Sequence, residues 1–121
     1  MTALKIRKAN KLLRSSIVLL ERKGRGEEGG IWKEAARYLS SGTVTWPEVN
    51  LARLARLGDV TAVFVPGKVL GTGVIDKKLV VGAFSFSSSA RFKIEASGGS
   101  ALSVEEFLKK YPKGSGVKLV R

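Results

Sequence analysis

The sequence predicts an α/β fold, a single domain of short strands and helices with a basic helical part at its N-terminus. Three observations carry that prediction. Before Arg22 the apolar residues recur at three- and four-residue steps, whereas after Trp46 β-branched and aromatic runs alternate with short helical patterns. Gly, Pro and Ser clusters punctuate the chain at short intervals and leave no long linker and no internal repeat. A chain of 121 residues with 44% apolar content is sufficient for one packed core. Residues 1–30, the basic helix with the glycine-rich loop after it, are expected to belong to the same domain as the α/β portion at 31–121.

The elements follow in order. Ala9, Leu13, Ile17 and Leu20, widened by Leu12 and Leu19, make the stripe of an amphipathic helix from Leu4 to Arg22, which Gly24, Gly26, Gly29 and Gly30 bring to an end near Lys23. A shorter helix is predicted over Ile31 to Leu39, stopped by Ser40, Ser41 and Gly42. Trp46-Pro47 reads as an extended or turn entry, because the residue before proline is pushed out of helical geometry. Val49, Leu51, Leu54 and Leu57 continue into a short strand and one or two helical turns. Val60 to Val65, bounded by Gly58-Asp59 and Pro66-Gly67, is a buried strand. Leu79 to Phe86 is another, and Ser87 or Ser88 caps a helix running to about Ala96, with Gly98-Gly99 as its left-handed stop. Ser103 and Glu106 have the spacing of a capping box that opens a last helix through Val104, Phe107 and Leu108 to Tyr111, ended by Pro112. Val117 to Val120 closes the chain as a strand.

Charge narrows the function. Lys and Arg number 22 against 10 Asp and Glu, a net +12, and a field of that size seeks a polyanion. The longest continuous apolar runs, Ala62 to Val65 and Ile17 to Leu20, are far short of the roughly 18 residues a membrane span needs, so nucleic acid is the expected partner rather than a membrane. Ile17 to Leu20 is too short an apolar region for a secretory signal, and the expected location is cytoplasmic. The chain has no cysteine and no histidine, which removes disulfides, thiolate metal sites, the commonest metal ligand and the usual neutral-pH general base.

The run Pro66-Gly67-Lys68-Val69-Leu70-Gly71-Thr72-Gly73 has the look of a phosphate loop but not its spacing. Its Gly-Lys pair precedes Val69 instead of Ser or Thr, and Asp76 stands where a dinucleotide fingerprint requires glycine. Two readings remain: the glycines permit tight turns between two strands, or the backbone near Lys68, Lys77 and Lys78 approaches an RNA phosphate. In the helix after Phe86, Ala90 and Ile94 are spaced for the core while Arg91 and Lys93 are expected to point outward. Ser85, Ser87, Ser88 and Ser89 crowd its start, where capping and phosphate binding compete as explanations. Trp32 and Trp46 are read as core or core-edge residues in preference to base-stacking ones. Asp59, Asp76, Glu95 and Glu105 show no acid–base pairing, so no enzyme, no cofactor and no small-molecule substrate are expected.

The ordered set Pro66 to Gly73, Lys77-Lys78-Leu79-Val80-Val81, Ala83-Phe84-Ser85-Phe86-Ser87, and Ala90 through Lys93-Ile94-Glu95-Ala96-Ser97-Gly98-Gly99 closely resembles the large-subunit ribosomal protein family numbered eighteen-e in archaea and eukaryotes. That family shares this domain with the C-terminal part of bacterial ribosomal protein fifteen. Ile31-Trp32-Lys33 and Glu48-Val49-Asn50-Leu51 join the resemblance, which extends from about Ala9 to Val120 and looks like the shorter archaeal version. It implies irregular strand-strand-helix turns, direct binding to large-subunit ribosomal RNA beside neighbouring large-subunit ribosomal proteins, and no enzymatic activity. Family members often carry a basic cluster just before the Val-Asn-Leu segment. Here that stretch is Ser40 to Thr45, which shifts the expected load to the N-terminal helix.

The residues expected to bind RNA are Lys5, Arg7, Lys8, Lys11, Arg14, Arg22, Lys23 and Arg25 in the basic front, Lys68, Gly71, Gly73, Lys77 and Lys78 in and around the glycine run, and Ser87, Arg91 and Lys93 on the following helix. Phosphate contacts would supply affinity and RNA shape most of the selectivity. The main rival is a DNA-binding architectural protein, which the same charge would serve. An enzyme acting on a phosphorylated substrate at Gly67 to Gly73 ranks below both.

Overall fold

The parallel strand pairing of this chain follows from short, mostly β-branched runs that are buried on both faces. A computed structural model describes residues 14–22, 30–40, 47–112, 114 and 116–121. In chain order these form helix α1 over 14–22, α2 (Gly30–Ser40), β1 (Glu48–Asn50), α3 (Leu51–Ala55), β2 (Ala62–Leu70), β3 (Val80–Phe86), α4 (Ser88–Ala96), β4 (Ser100–Leu102), α5 (Val104–Lys110) and β5 (Val117–Leu119). Every pairing among the described residues is parallel, in the order β1-β2-β3-β4. β3 runs along one side of β2, so β5, paired to Ala62–Phe64, and β1, paired to Lys68–Leu70, share the other side end to end.

The alternation along β2 divides the core. Val63 and Val65 face Leu51, Leu54, Ala90 and Ile94 of α3 and α4. Ala62 and Phe64 face Leu20 of α1, Trp32, Ala35, Ala36 and Leu39 of α2, and Phe107 of α5. Connection handedness explains the split. From β1 to β4 the strands are added in one direction, with α3 and α4 on one face; α5 returns the chain across the sheet to β5, and a right-handed crossover in the reverse direction lies on the opposite face. The aromatic heart of that second face is Trp32, edge-on to Phe64 at 5.2 Å and to Phe107 at 5.8 Å. Trp32 Nε1 donates to the Pro112 carbonyl at 3.1 Å, so the indole is a core residue, as expected. Gly82 in β3 lies against the Phe107 ring, where a Cβ would stand 2.4 Å from a ring carbon.

Most elements stand where the sequence places them, including the Ser87 cap of α4, the Gly98 stop at φ +90° and the full Ser103–Glu106 capping box. Three differ. β2 does not stop at Pro66-Gly67 but continues to Leu70. Proline has no N–H to give the ladder, so the register slips between Val65 and Lys68 and pairing then resumes, Lys68 with Ser85 and Val69 with Phe86. The segment after β2 is not a tight turn: parallel strands need a crossover, and residues 71–79 run back along the sheet with Ile75 and Leu79 buried on the α3–α4 face. β4 has no counterpart in the sequence reading, because three residues between Gly99 and the Ser103 cap carry too little alternation to show. Trp46, the Leu4–Leu13 part of the first helix and Gly24–Gly29 lie outside the described residues.

Candidate nucleic-acid interface

The described cations fall on two opposite faces of the sheet. Arg14 and Arg22 are exposed on α1, whose inner side supplies Leu20 to the α2–α5 layer. Between α1 and α5 runs a shallow groove lined by Arg14, Ser15, Val18, Leu19, Arg22 and Glu105. Lys5, Arg7, Lys8, Lys11, Lys23 and Arg25 lie outside the described residues. Gly71, Gly73, Ser87, Arg91 and Lys93 are instead gathered at and beyond the carboxyl ends of β2 and β3, on the side of α3 and α4, with Lys68 near the end of β2, whereas Lys77 and Lys78 directly precede β3 and stand at the amino end of the sheet, near Gly58 and Gly98.

That second group is organised by the strip Gly71-Thr72-Gly73, which runs between the first turns of α3 and α4. A Cβ on Gly71 would lie 2.0 Å from Ser89 Oγ and 2.9 Å from the Ala90 nitrogen. One on Gly73 would lie 2.4 Å from the Ala52 nitrogen. Only glycine lets the backbone approach both helices this closely. Ala52 N–H donates to the Thr72 carbonyl at 3.0 Å, while Lys93 Nζ donates to the carbonyls of Gly71 at 2.8 Å and Gly73 at 3.0 Å. In open α/β sheets the crevice outside the strand carboxyl ends is where small ligands bind. Here the chain's own glycine strip fills it.

Individual side chains have distinct duties. Lys93 does not point outward as expected: it is half-buried, and its ammonium is turned into the loop because two carbonyls converge there. Lys77 Nζ donates to the Gly58 carbonyl at 2.6 Å. Arg91 is exposed, with its guanidinium 5.3 Å from the centre of the Phe86 ring and 3.4 Å from the Ala101 carbonyl. Lys78 is exposed with its stem over Gly98, and Lys68 is half-buried at the bulge. Ser87 Oγ accepts from Ala90 N–H at 3.1 Å, so it performs the capping role, with Ser89 Oγ at 3.3 Å. Val74 in the loop and Phe92 on α4 are exposed apolar side chains beside this group.

Two cations on this face of the sheet carry no expectation from the sequence. Arg53 and Arg56 stand on the outer side of α3, both exposed, opposite the buried Leu51 and Leu54. The signal was present in the spacing, since arginines at i and i+3 alternate with leucines at i and i+3 on a short helix, but it was hidden while the extent of the helix was undefined. Among the described residues no helix is long and apolar enough to cross a membrane.

Comparison with known proteins places this arrangement. Residues 31–102 match the family model described as ribosomal proteins 50S-L15, 50S-L18e and the 60S protein numbered twenty-seven-A, a span that runs from α2 through the glycine strip to β4. The chain is 39% identical over 117 residues to the large ribosomal subunit protein eL18 of Methanoregula boonei, covering 96% of this chain and 97% of that one. It is 40% identical over 116 residues to the eL18 of Archaeoglobus fulgidus, covering 95% and 99%, and 36% identical over 118 residues to that of Methanosphaerula palustris, covering 97% and 98%. With the glycine strip, both core faces and nearly the whole length accounted for by these relatives, the chain belongs to the ribosomal protein family that comprises 50S-L15, 50S-L18e and their 60S counterpart.

Proposed function

We propose that this protein is a structural constituent of the large ribosomal subunit in the cytoplasm, where it binds and stabilises folded large-subunit ribosomal RNA beside neighbouring ribosomal proteins and catalyses no reaction. The observation that carries this reading is the near full-length similarity to proteins named for the large ribosomal subunit, joined to a net charge of +12. The mechanism is positional. Lys5, Arg7, Lys8, Lys11, Arg14, Arg22, Lys23 and Arg25 neutralise phosphates from the N-terminal side, Lys68 and Arg91 do so from the carboxyl edge of the sheet, and Lys77 and Lys78 from its amino edge. Gly71 and Gly73 bring backbone close to the RNA, Ser87 holds the start of α4, and the third N–H of Lys93 remains for a phosphate while the other two hold the loop.

Competition binding of the purified chain to large-subunit rRNA, tRNA and duplex DNA at two salt concentrations tests the reading. Binding to the rRNA that survives tRNA competitor at physiological salt is the expected result. Equal binding to all three, lost together as salt rises, would leave only a basic domain, and preference for duplex DNA would replace the ribosomal role with an architectural one.

A further inference from the structure

Among the described residues Arg53 and Arg56 have no carboxylate partner, whereas Glu34 and Glu105 pair with other cations. Glu34 accepts Arg121 at 3.2 Å and lies 3.7 Å from Arg37, and Glu105 lies 3.6 Å from Lys109, all on α2, α5 and the chain end. α3 has none of this, yet it is firmly held. Leu51 and Leu54 are fully buried, Asn50 pairs with Leu70 in the sheet, and Ala52 is bonded to Thr72 and pressed by Gly73. Two guanidinium groups are thus presented from a fixed backbone, so less ordering entropy is lost when they engage a ligand. Lys77, tied to the Gly58 carbonyl just past α3, adds a third positive charge, against the exposed Asp59 and Asp76. The balance remains positive, and planar forked donors of this type suit phosphate oxygens.

This surface lies on the opposite side of the sheet from α1. α3 packs on the core face of Val63 and Val65, and α1 on the face of Phe64 and Trp32. Two helix layers with a sheet between them are separated by roughly 20 Å, about two Debye lengths at physiological salt, so the two basic surfaces act independently. We infer that Arg53 and Arg56 anchor the RNA-phosphate site of the α3–α4 face, which acts separately from the N-terminal helix, so that one copy of the chain holds two RNA segments at once. The inference rests on the reading that this chain binds RNA and adds to it an anchor and a valency.

The test uses the full chain and a short double-stranded RNA hairpin, half of it carrying a donor dye and half an acceptor, with sedimentation to show that the protein stays monomeric. The wild type should bind two hairpins and bring the dyes together. R53Q/R56Q should bind one, lose the energy transfer, keep its circular dichroism, and lower the slope of log affinity against log salt by about one to two. Replacing Lys5, Arg7, Lys8, Lys11 and Arg14 by Gln should also leave one hairpin bound, now through α3. A wild type that binds one hairpin, with R53Q/R56Q indistinguishable from it, overturns the second site alone. A wild type that binds neither the hairpin nor rRNA overturns the RNA reading and this inference with it.

Discussion

The ammonium of Lys93 donates to the carbonyl of Gly71 at 2.8 Å and so fastens the crossover loop to α4. The same nitrogen takes the Gly73 carbonyl at 3.0 Å. A lysine that the sequence offers as a surface cation is therefore also a structural tie. Lys93→Met keeps much of the stem but leaves both carbonyls without this donor, and should destabilise the fold by about 1–3 kcal/mol. Thermal unfolding without RNA checks this; an unchanged midpoint would mean that the tie is replaced by water at no cost.

Gly82 has no room for a side chain under Phe107, where a Cβ would stand 2.4 Å from the ring. Gly82→Ala should therefore overpack the second core face and destabilise by about 1–3 kcal/mol. Combining it with Phe107→Leu should recover part of the loss, because the two substitutions share one volume. Urea denaturation of the four members of the cycle measures the coupling, and strict additivity would count against the packing argument.

Glu106 closes the capping box of α5. Its carboxylate accepts Ser103 N–H at 3.1 Å, and Ser103 Oγ accepts Glu106 N–H at 3.3 Å. The backbone and side-chain hydrogen bonds of Ser103 hold its pKa below the ordinary value of 4.5, with smaller help from Arg91 and Lys109 against a desolvation that opposes it. A depressed folded pKa contributes stability that is present above the unfolded value and is lost as pH falls through the folded one. Glu106→Gln, which can still reach back to the cap, should flatten the acid limb of the stability–pH curve below pH 4.5. Ser103→Ala should lower stability at neutral pH by about 1 kcal/mol. Chemical denaturation across the acid range reads both effects, and an acid limb unchanged by Glu106→Gln would remove the carboxylate from the pH dependence.

Neutralising Lys5, Arg7, Lys8, Lys11 and Arg14 together as Gln should leave the unfolding midpoint close to wild type and weaken rRNA binding strongly, with a shallower salt dependence. Filter binding at several salt concentrations reads the affinity and its slope. Unchanged affinity with an unchanged slope would remove the N-terminal helix from the interface.

What the sequence by itself determined was whatever rests on neighbours a few residues apart. The Ser87 cap, the Ser103–Glu106 box, the Gly98 stop and the amphipathic α2 are all settled by contacts spanning four residues or fewer, and each stands as the residues indicate. Composition alone pointed to a polyanion, since net charge is independent of the fold. The tertiary structure decided the rest. β2 passes through Pro66-Gly67 because β1 and β3 hold Lys68 and Val69 beyond the bulge, and β4 exists because β3 offers it an edge. Lys93 turns inward because Gly71 and Gly73, some twenty residues earlier, present their carbonyls to it. Arg53 and Arg56 face outward because Leu51 and Leu54 are drawn into the core beneath them, on the face away from α1. Local hydrogen bonds can be read from spacing; strand order, and with it the side of the sheet on which each cation stands, is decided by pairings and packing between distant parts of the chain.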